Sequence, residues 1–293
     1  MRLIILLLCF SFFLSILTQI DLETSPFGSA TDKGHLRYSA IDEASGLESA
    51  LNNPHCFWTH NDSGDKARIF LLDSTANCRA TYYLAGIHAY DWEDIASMQE
   101  DHKNYLLVGD VGDNLGNRPV VYIHRFEEPT VTESKTPQTD TIPRKAVKTY
   151  TLRYVDGPRD AEAFFFDPIA KKLVVINKRE LQVGVYMASL PKNPTDTIVL
   201  KREMSIPYTF ITSATISADG TEVLIKNLLN VYYWKRKPGE SLLTMFHRQG
   251  ISLPYVVEPQ GEAITFARDG SGYFTISERP FGLPSSLYFY PRQ

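Results

Sequence analysis

Three glutamates recur at one register of a repeated motif: Glu93 in Asp91-Trp-Glu-Asp-Ile-Ala96, Glu162 in Asp160-Ala-Glu-Ala-Phe164, and Glu262 in Gln260-Gly-Glu-Ala-Ile264. Two further copies put Ser45 and Ala214 at about the equivalent places, and Glu43, Asp91, Asp94 and Asp160 lie close by. A second set falls at the ends of the strand-like runs that follow: Asn61 and Asp62, Asp110, Lys178, Lys226 and Glu278. Carboxylates brought together repel one another, and burial raises the cost, so a cation or a lysine must relieve it. An all-oxygen donor set suits a hard divalent ion, Ca²⁺ or Mg²⁺. The candidate ligands are Glu43, Asp62, Glu93, Asp94, Asp110, Asp113, Glu162, Glu262 and Glu278. For each acid the competing reading is a carboxylate satisfied by strand-edge amides. Lys178 and Lys226 are the candidates for steadying a developing negative charge, if the chemistry is ester hydrolysis; the alternative is that both are simply salt-bridged.

The densest motif is Gly109-Asp-Val-Gly-Asp-Asn-Leu-Gly-Asn-Arg118. Its acids and amides offer oxygens to a metal, and its glycines allow sharp turns. Equally, it reads as a hydrogen-bonded hairpin in which Arg118 pairs with Asp110 or Asp113. Asn61-Asp-Ser-Gly-Asp65 holds the same place in the first copy and carries the same two readings. His60, near Asp62 and Ser63, is a weak hint of a nucleophile. The spacings of an EF-hand, a nucleophile elbow and a zinc protease are all missing.

The elements that must position these residues are short β-type runs separated by turns. Five segments align, starting near residues 43, 91, 160, 212 and 260, each with about four strands. Four strands per repeat at this period predict an all-β fold, a β-propeller of five four-stranded blades, with six blades as the alternative. In a propeller the first strand of every blade lines the axis, so residues of one register converge there. Leu36–Ile41 is expected to pair with the last blade and close the ring. The polar stretch Glu127–Arg144 reads as a surface loop. Asp219-Gly220 and Asp269-Gly270 mark tight turns between first and second strands. Trp58, Trp92 and Trp234 read as packing residues between blades.

Composition narrows the functional classes. Net charge is −4 with no basic stripe, which argues against nucleic-acid binding. Residues 1–20 begin with Arg2 and an apolar run, the pattern of a signal peptide or an N-terminal anchor. Residues 21–35 read as a linker, and 36–293 as the propeller domain. The protein is therefore expected to be exported: periplasmic, extracellular or membrane-anchored at the cell envelope, with any membrane contact made through that anchor. Cys9 falls in the leader, which leaves Cys56 and Cys78 as an expected disulfide in an oxidising compartment. A monomer is expected.

Taken in order, Glu43-Ala-Ser-Gly-Leu47, Asn61-Asp-Ser-Gly64, Asp91-Trp-Glu-Asp-Ile-Ala96, Gly109-Asp-Val-Gly-Asp-Asn114 and Asp160-Ala-Glu-Ala163 resemble the motifs of a family of exported bacterial β-propeller proteins, mostly of unknown function. The resemblance spans nearly the whole mature chain and implies the propeller. It extends distantly to phytase-like, calcium-dependent propeller hydrolases, although no catalytic residue of theirs carries over position by position. Two functions stay open at this stage. One is a binding or scaffold module for a small-molecule, glycan or protein ligand, with an axial divalent-cation site. The other is a metal-dependent hydrolase of phosphoesters or related anionic esters.

Overall fold

The computed structural model describes residues 25–293. The expected leader, residues 1–20 with Cys9, lies outside them. The chain is all-β. It begins with β1 (Thr31–His35), and the first repeat follows as β2 (Ala44–Ser49), β3 (Cys56–Asn61), β4 (Arg68–Asp73) and β5 (Cys78–Leu84). The second holds β6 (Trp92–Glu100), β7 (Lys103–Asp110), β8 (Val121–Glu127), an inserted β9 (Gln138–Ile142) and β10 (Lys148–Tyr154). The third is β11 (Ala161–Asp167), β12 (Lys172–Asn177), β13 (Val183–Ala188) and β14 (Ile198–Ile206). The fourth is β15 (Ile211–Ile216), β16 (Glu222–Asn227), β17 (Val231–Lys235), a short helix α1 (Leu242–Phe246) and β18 (Ile251–Leu253). The last is β19 (Ala263–Phe266), β20 (Gly272–Ile276) and β21 (Ser286–Pro291).

Within each repeat consecutive strands pair antiparallel, save that in the second β8 pairs with β10 past the inserted β9, and β2, β6, β11, β15 and β19 pack each on the next, with β19 returning to β2. Strand periodicity explains why this ring forms. Alternate side chains of a strand leave opposite faces. Leu106 and Val108 of β7 pack with Trp58 and Ile69 of the first repeat, whereas Leu107 packs with Phe164 and Val175 of the third. Five apolar clusters result, one between each pair of neighbouring repeats. Trp58, Trp92 and Trp234 are all buried in them, as packing residues.

Four expectations need correction. The sheets are not five separate four-stranded units, because β10 and β14 pair in parallel and join the second and third repeats into one eight-stranded sheet. The closing strand is β1, which pairs with β21, and Leu36–Ile41 is not a strand. The expected linker 21–35 is thus part of the domain from Phe27 onward, whose ring packs edge-on against Tyr233 and Tyr273. Finally, Cys56 and Cys78 are free thiols. They sit on β3 and β5 with β4 between them, about two strand spacings apart, beyond the reach of a disulfide.

The insert Glu127–Arg144 is more than a loop. Its β9 pairs in parallel with β5 and covers the open edge of the first sheet. At the start of the insert, the buried Glu128 carboxylate accepts hydrogen bonds from Leu51 N (2.9 Å), Asn52 N (3.1 Å), Asn53 Nδ2 (3.1 Å) and Trp58 Nε1 (2.9 Å). Glu128→Ala strands these donors away from water. We expect a loss of about 3 kcal/mol, read as a lower urea midpoint.

Candidate metal centre

The first strand of a repeat begins where the second ends, as the pairs Ala44↔Asn61, Trp92↔Asp110, Ala161↔Asn177 and Ile211↔Asn227 show. Just inside the starts of β2, β6, β11 and β15 the register shifts by one residue, at Gly46 in β2. The bulged residue is Glu93 in β6, Glu162 in β11 and Thr212 in β15. A bulge re-aims the side chain it carries. The fourth repeat's counterpart of the channel glutamates is therefore Thr212, and Ala214 lies two residues deeper. Gly112 leaves room for this arrangement, since a Cβ there would collide with Glu93 Oε1 and the Asp91 carboxylate.

Three groups of carboxylates come together, each with ligand atoms within 4.8 Å of one another: Asp62–Asp91–Glu93, Asp62–Glu262–Glu278 and Glu93–Asp160–Glu162. Asp62 and Glu93 are shared, so these seven acids form one connected mouth. Against them stand Lys178, bonded to Glu162 and 4.0 Å from Glu262, and Arg179, bonded to Asp160. Glu162 Oε2 is buried with no hydrogen-bond partner among the described residues. Burial, reinforced by the neighbouring acids, pushes the Asp62 carboxyl up to about 7 and Glu278 up to about 9. Glu93 is raised by burial and then by Glu162 and Asp62. Burial opposes the charge of Lys178, but Glu162, Glu262 and Glu93 outweigh it and raise its pKa.

Of the nine expected ligands, Asp62, Glu93, Glu162, Glu262 and Glu278 converge in this way. Asp91 and Asp160 join them. Each stands two residues before a channel glutamate, just ahead of the strand that carries it. The other four expected ligands are not members of these three groups. Glu43 is exposed beside Asp42 and Asp65. Asp110 binds Arg118 at 2.6 Å and caps Tyr90 N at 3.0 Å. Asp113 accepts from Asn117 N and Arg118 N, both at 2.9 Å, so the Gly109–Arg118 motif is the hydrogen-bonded hairpin. Asp94 is buried deeper on the axis. It accepts from Ile95 N on its own strand, from Phe164 N on β11, and from Ser213 Oγ and Ala214 N on β15.

Lys226 is also displaced inward. It is fully buried, bonded to Gly261 O, and 5.0 Å from the Tyr255 ring centroid. Burial lowers its pKa to about 8 despite Glu258 and Glu262. It belongs to the floor of the channel rather than to the mouth. His60 is buried as well, with Nδ1 on Asn61 O, and it makes no nucleophile pair with Ser63.

Sequence reasoning missed Glu48, at the far end of β2. Its Oε1 accepts from Ser97 Oγ at 2.5 Å, and burial pushes its carboxyl up to about 7. The folded state therefore keeps a proton that the unfolded chain loses near 4.5. This contribution to stability is complete below about pH 4.5 and is lost as pH rises through about 7, amounting to about 3 kcal/mol. Glu48→Gln should flatten that part of the stability–pH curve, measured by urea denaturation from pH 5 to 8. An unchanged slope would rule out Glu48 as its source.

Searches against protein-family models and against curated proteins give no match to this chain, so the site is read from its own geometry.

Proposed function

We propose that the chain is a five-bladed β-propeller acting as a binding module, with a divalent cation, Ca²⁺ in first place and Mg²⁺ second, held at its acidic mouth. The closed succession of first strands and the five inter-repeat cores support the propeller. One observation carries the cation site: seven converging carboxylates face two cations, and the buried Glu162 Oε2 among them has no hydrogen-bond partner among the described residues. A divalent ion supplies the missing positive charge and takes the free oxygen. Ca²⁺ accepts six to eight oxygens in irregular geometry, which suits acids drawn from several strands better than the strict octahedron of Mg²⁺.

The surroundings of the mouth support a docking role for a glycan or protein ligand. Tyr90, Leu115, Leu181, Phe210, Leu229 and Phe281 are exposed on loops at the end of the molecule where the first strands begin. Concentrating large apolar side chains on one face marks an interaction surface. Calorimetric titration of Ca²⁺ into chelator-stripped protein tests the reading. Saturable binding that Glu93→Gln weakens supports it; no heat and no bound ion would sink it.

A second reading, metal-dependent hydrolysis of a phosphoester, draws on the linkage of the three acid groups through Asp62 and Glu93, which leaves room for two neighbouring ions. Lys178 would then face the anionic substrate. Chelator-sensitive phosphoesterase activity that falls with Glu93→Gln would favour it over pure binding.

A further inference from the structure

The first strands also frame a cavity of about 510 Å³ at their far ends, remote from the acidic mouth. Its walls include Glu48 of β2, Ser97 and Met98 of β6, Phe165 of β11, and Thr215 and Ile216 of β15. We infer that this cavity is a binding site for a small amphipathic organic anion, with its anionic head at the rim and its apolar body inside.

Charge at the rim decides the sign of the ligand. Glu100 and Asp101 lie there, but Arg125 neutralises the first at 2.6 Å and Lys192 the second at 2.8 Å. Lys171 and Arg268 also line the cavity, are exposed, and have no ion-pair or hydrogen-bond partner among the described residues. These two cations thus face one remaining acid of the lining, Glu48, whose carboxyl burial pushes up to about 7 against the pull of Arg268. A guanidinium beside an ammonium suits a carboxylate or phosphate head. Below the rim, Met98, Phe165 and Ile216 offer apolar contact. Thr215 is a buried residue whose hydroxyl makes no hydrogen bond among the described residues, and Glu48 holds the Ser97 hydroxyl. These are polar groups placed to orient a ligand in a cavity lined about equally by polar and apolar residues, and the volume falls within the usual range for small-molecule sites.

The probe is phenylacetate, with 2-phenylethanol as its uncharged analogue and phenyl phosphate to compare heads, followed by ligand-observed NMR titration of the full chain. We expect phenylacetate or phenyl phosphate to bind saturably and the alcohol at least about tenfold more weakly. Lys171→Gln with Arg268→Gln should abolish that preference. Both side chains are exposed, so the fold survives, as circular dichroism will verify. Saturating Ca²⁺ and the Glu162→Gln change should leave anion binding untouched, which separates this site from the mouth. No binding of either anion, equal binding of the alcohol, or full affinity in the double variant would overturn the inference.

Discussion

Calcium at a hundredfold excess over its Kd should stabilise the chelator-stripped protein by about 2.7 kcal/mol, a rise of about 5–10 °C in unfolding temperature for a domain of this size. The gain arises because the folded chain gathers Asp62, Asp91, Glu93, Asp160, Glu162, Glu262 and Glu278 around two cations, whereas the unfolded chain disperses them. Glu162→Gln keeps the side chain's volume and removes one charge. It should erase most of the calcium-induced rise while leaving the metal-free protein as stable as before or more so, because one member of a repelling set is gone. Lys178, which also stands 4.0 Å from Glu262, retains that acid as a partner when the Glu162 charge is removed. Differential scanning fluorimetry with and without chelator reads both quantities. An equal calcium response in wild type and variant would remove Glu162 from the site.

Asp94→Ala should have the opposite profile: a large loss of stability with calcium affinity retained. Its carboxylate joins three of the five first strands, through Ile95 N at 2.9 Å, Phe164 N at 3.3 Å, Ser213 Oγ at 3.2 Å and Ala214 N at 3.3 Å. Truncation leaves three backbone donors and a hydroxyl buried without an acceptor, together with a small void. We expect a cost of about 3–5 kcal/mol. Asparagine is a poor substitute, since its amide points donors at donors. Denaturant midpoints measure the first part of the prediction and calorimetric titration the second. A variant of normal stability with lost calcium binding would make Asp94 a ligand instead of a structural tie.

The contrast between Asp94 and Glu93 shows where sequence reading stops. Both residues sit in one acidic motif, and composition treats them alike. The one-residue bulge in β6 separates them, turning Glu93 to the mouth and Asp94 to the axis. A bulge is fixed by pairing with β7 and by close packing, not by residue type. Gly46 illustrates this, since a Cβ there would lie 2.9 Å from Asp94 Cα. The repeats themselves were legible, because alternating apolar residues and Asp-Gly turns are local signals. The pairs Asp91/Glu93 and Asp160/Glu162 were legible for the same reason. Long-range pairings were not. Nothing local in Gln138–Ile142 announces a parallel partner 58 residues earlier, as in Ala80↔Gln138, and nothing in Thr31–His35 announces β21. The disulfide expectation failed likewise: counting cysteines cannot reveal that β4 runs between them.

The central claim is that the acidic mouth holds a divalent cation. Anomalous diffraction from crystals soaked in Mn²⁺ or a lanthanide tests it most directly. The account predicts a peak among Glu93, Asp160 and Glu162, with Glu162 Oε2 as a ligand, and loss of that peak in Glu162→Gln. A mouth without a peak in the soaked wild-type crystal, or a peak in the Asp110–Asp113 hairpin instead, would contradict it.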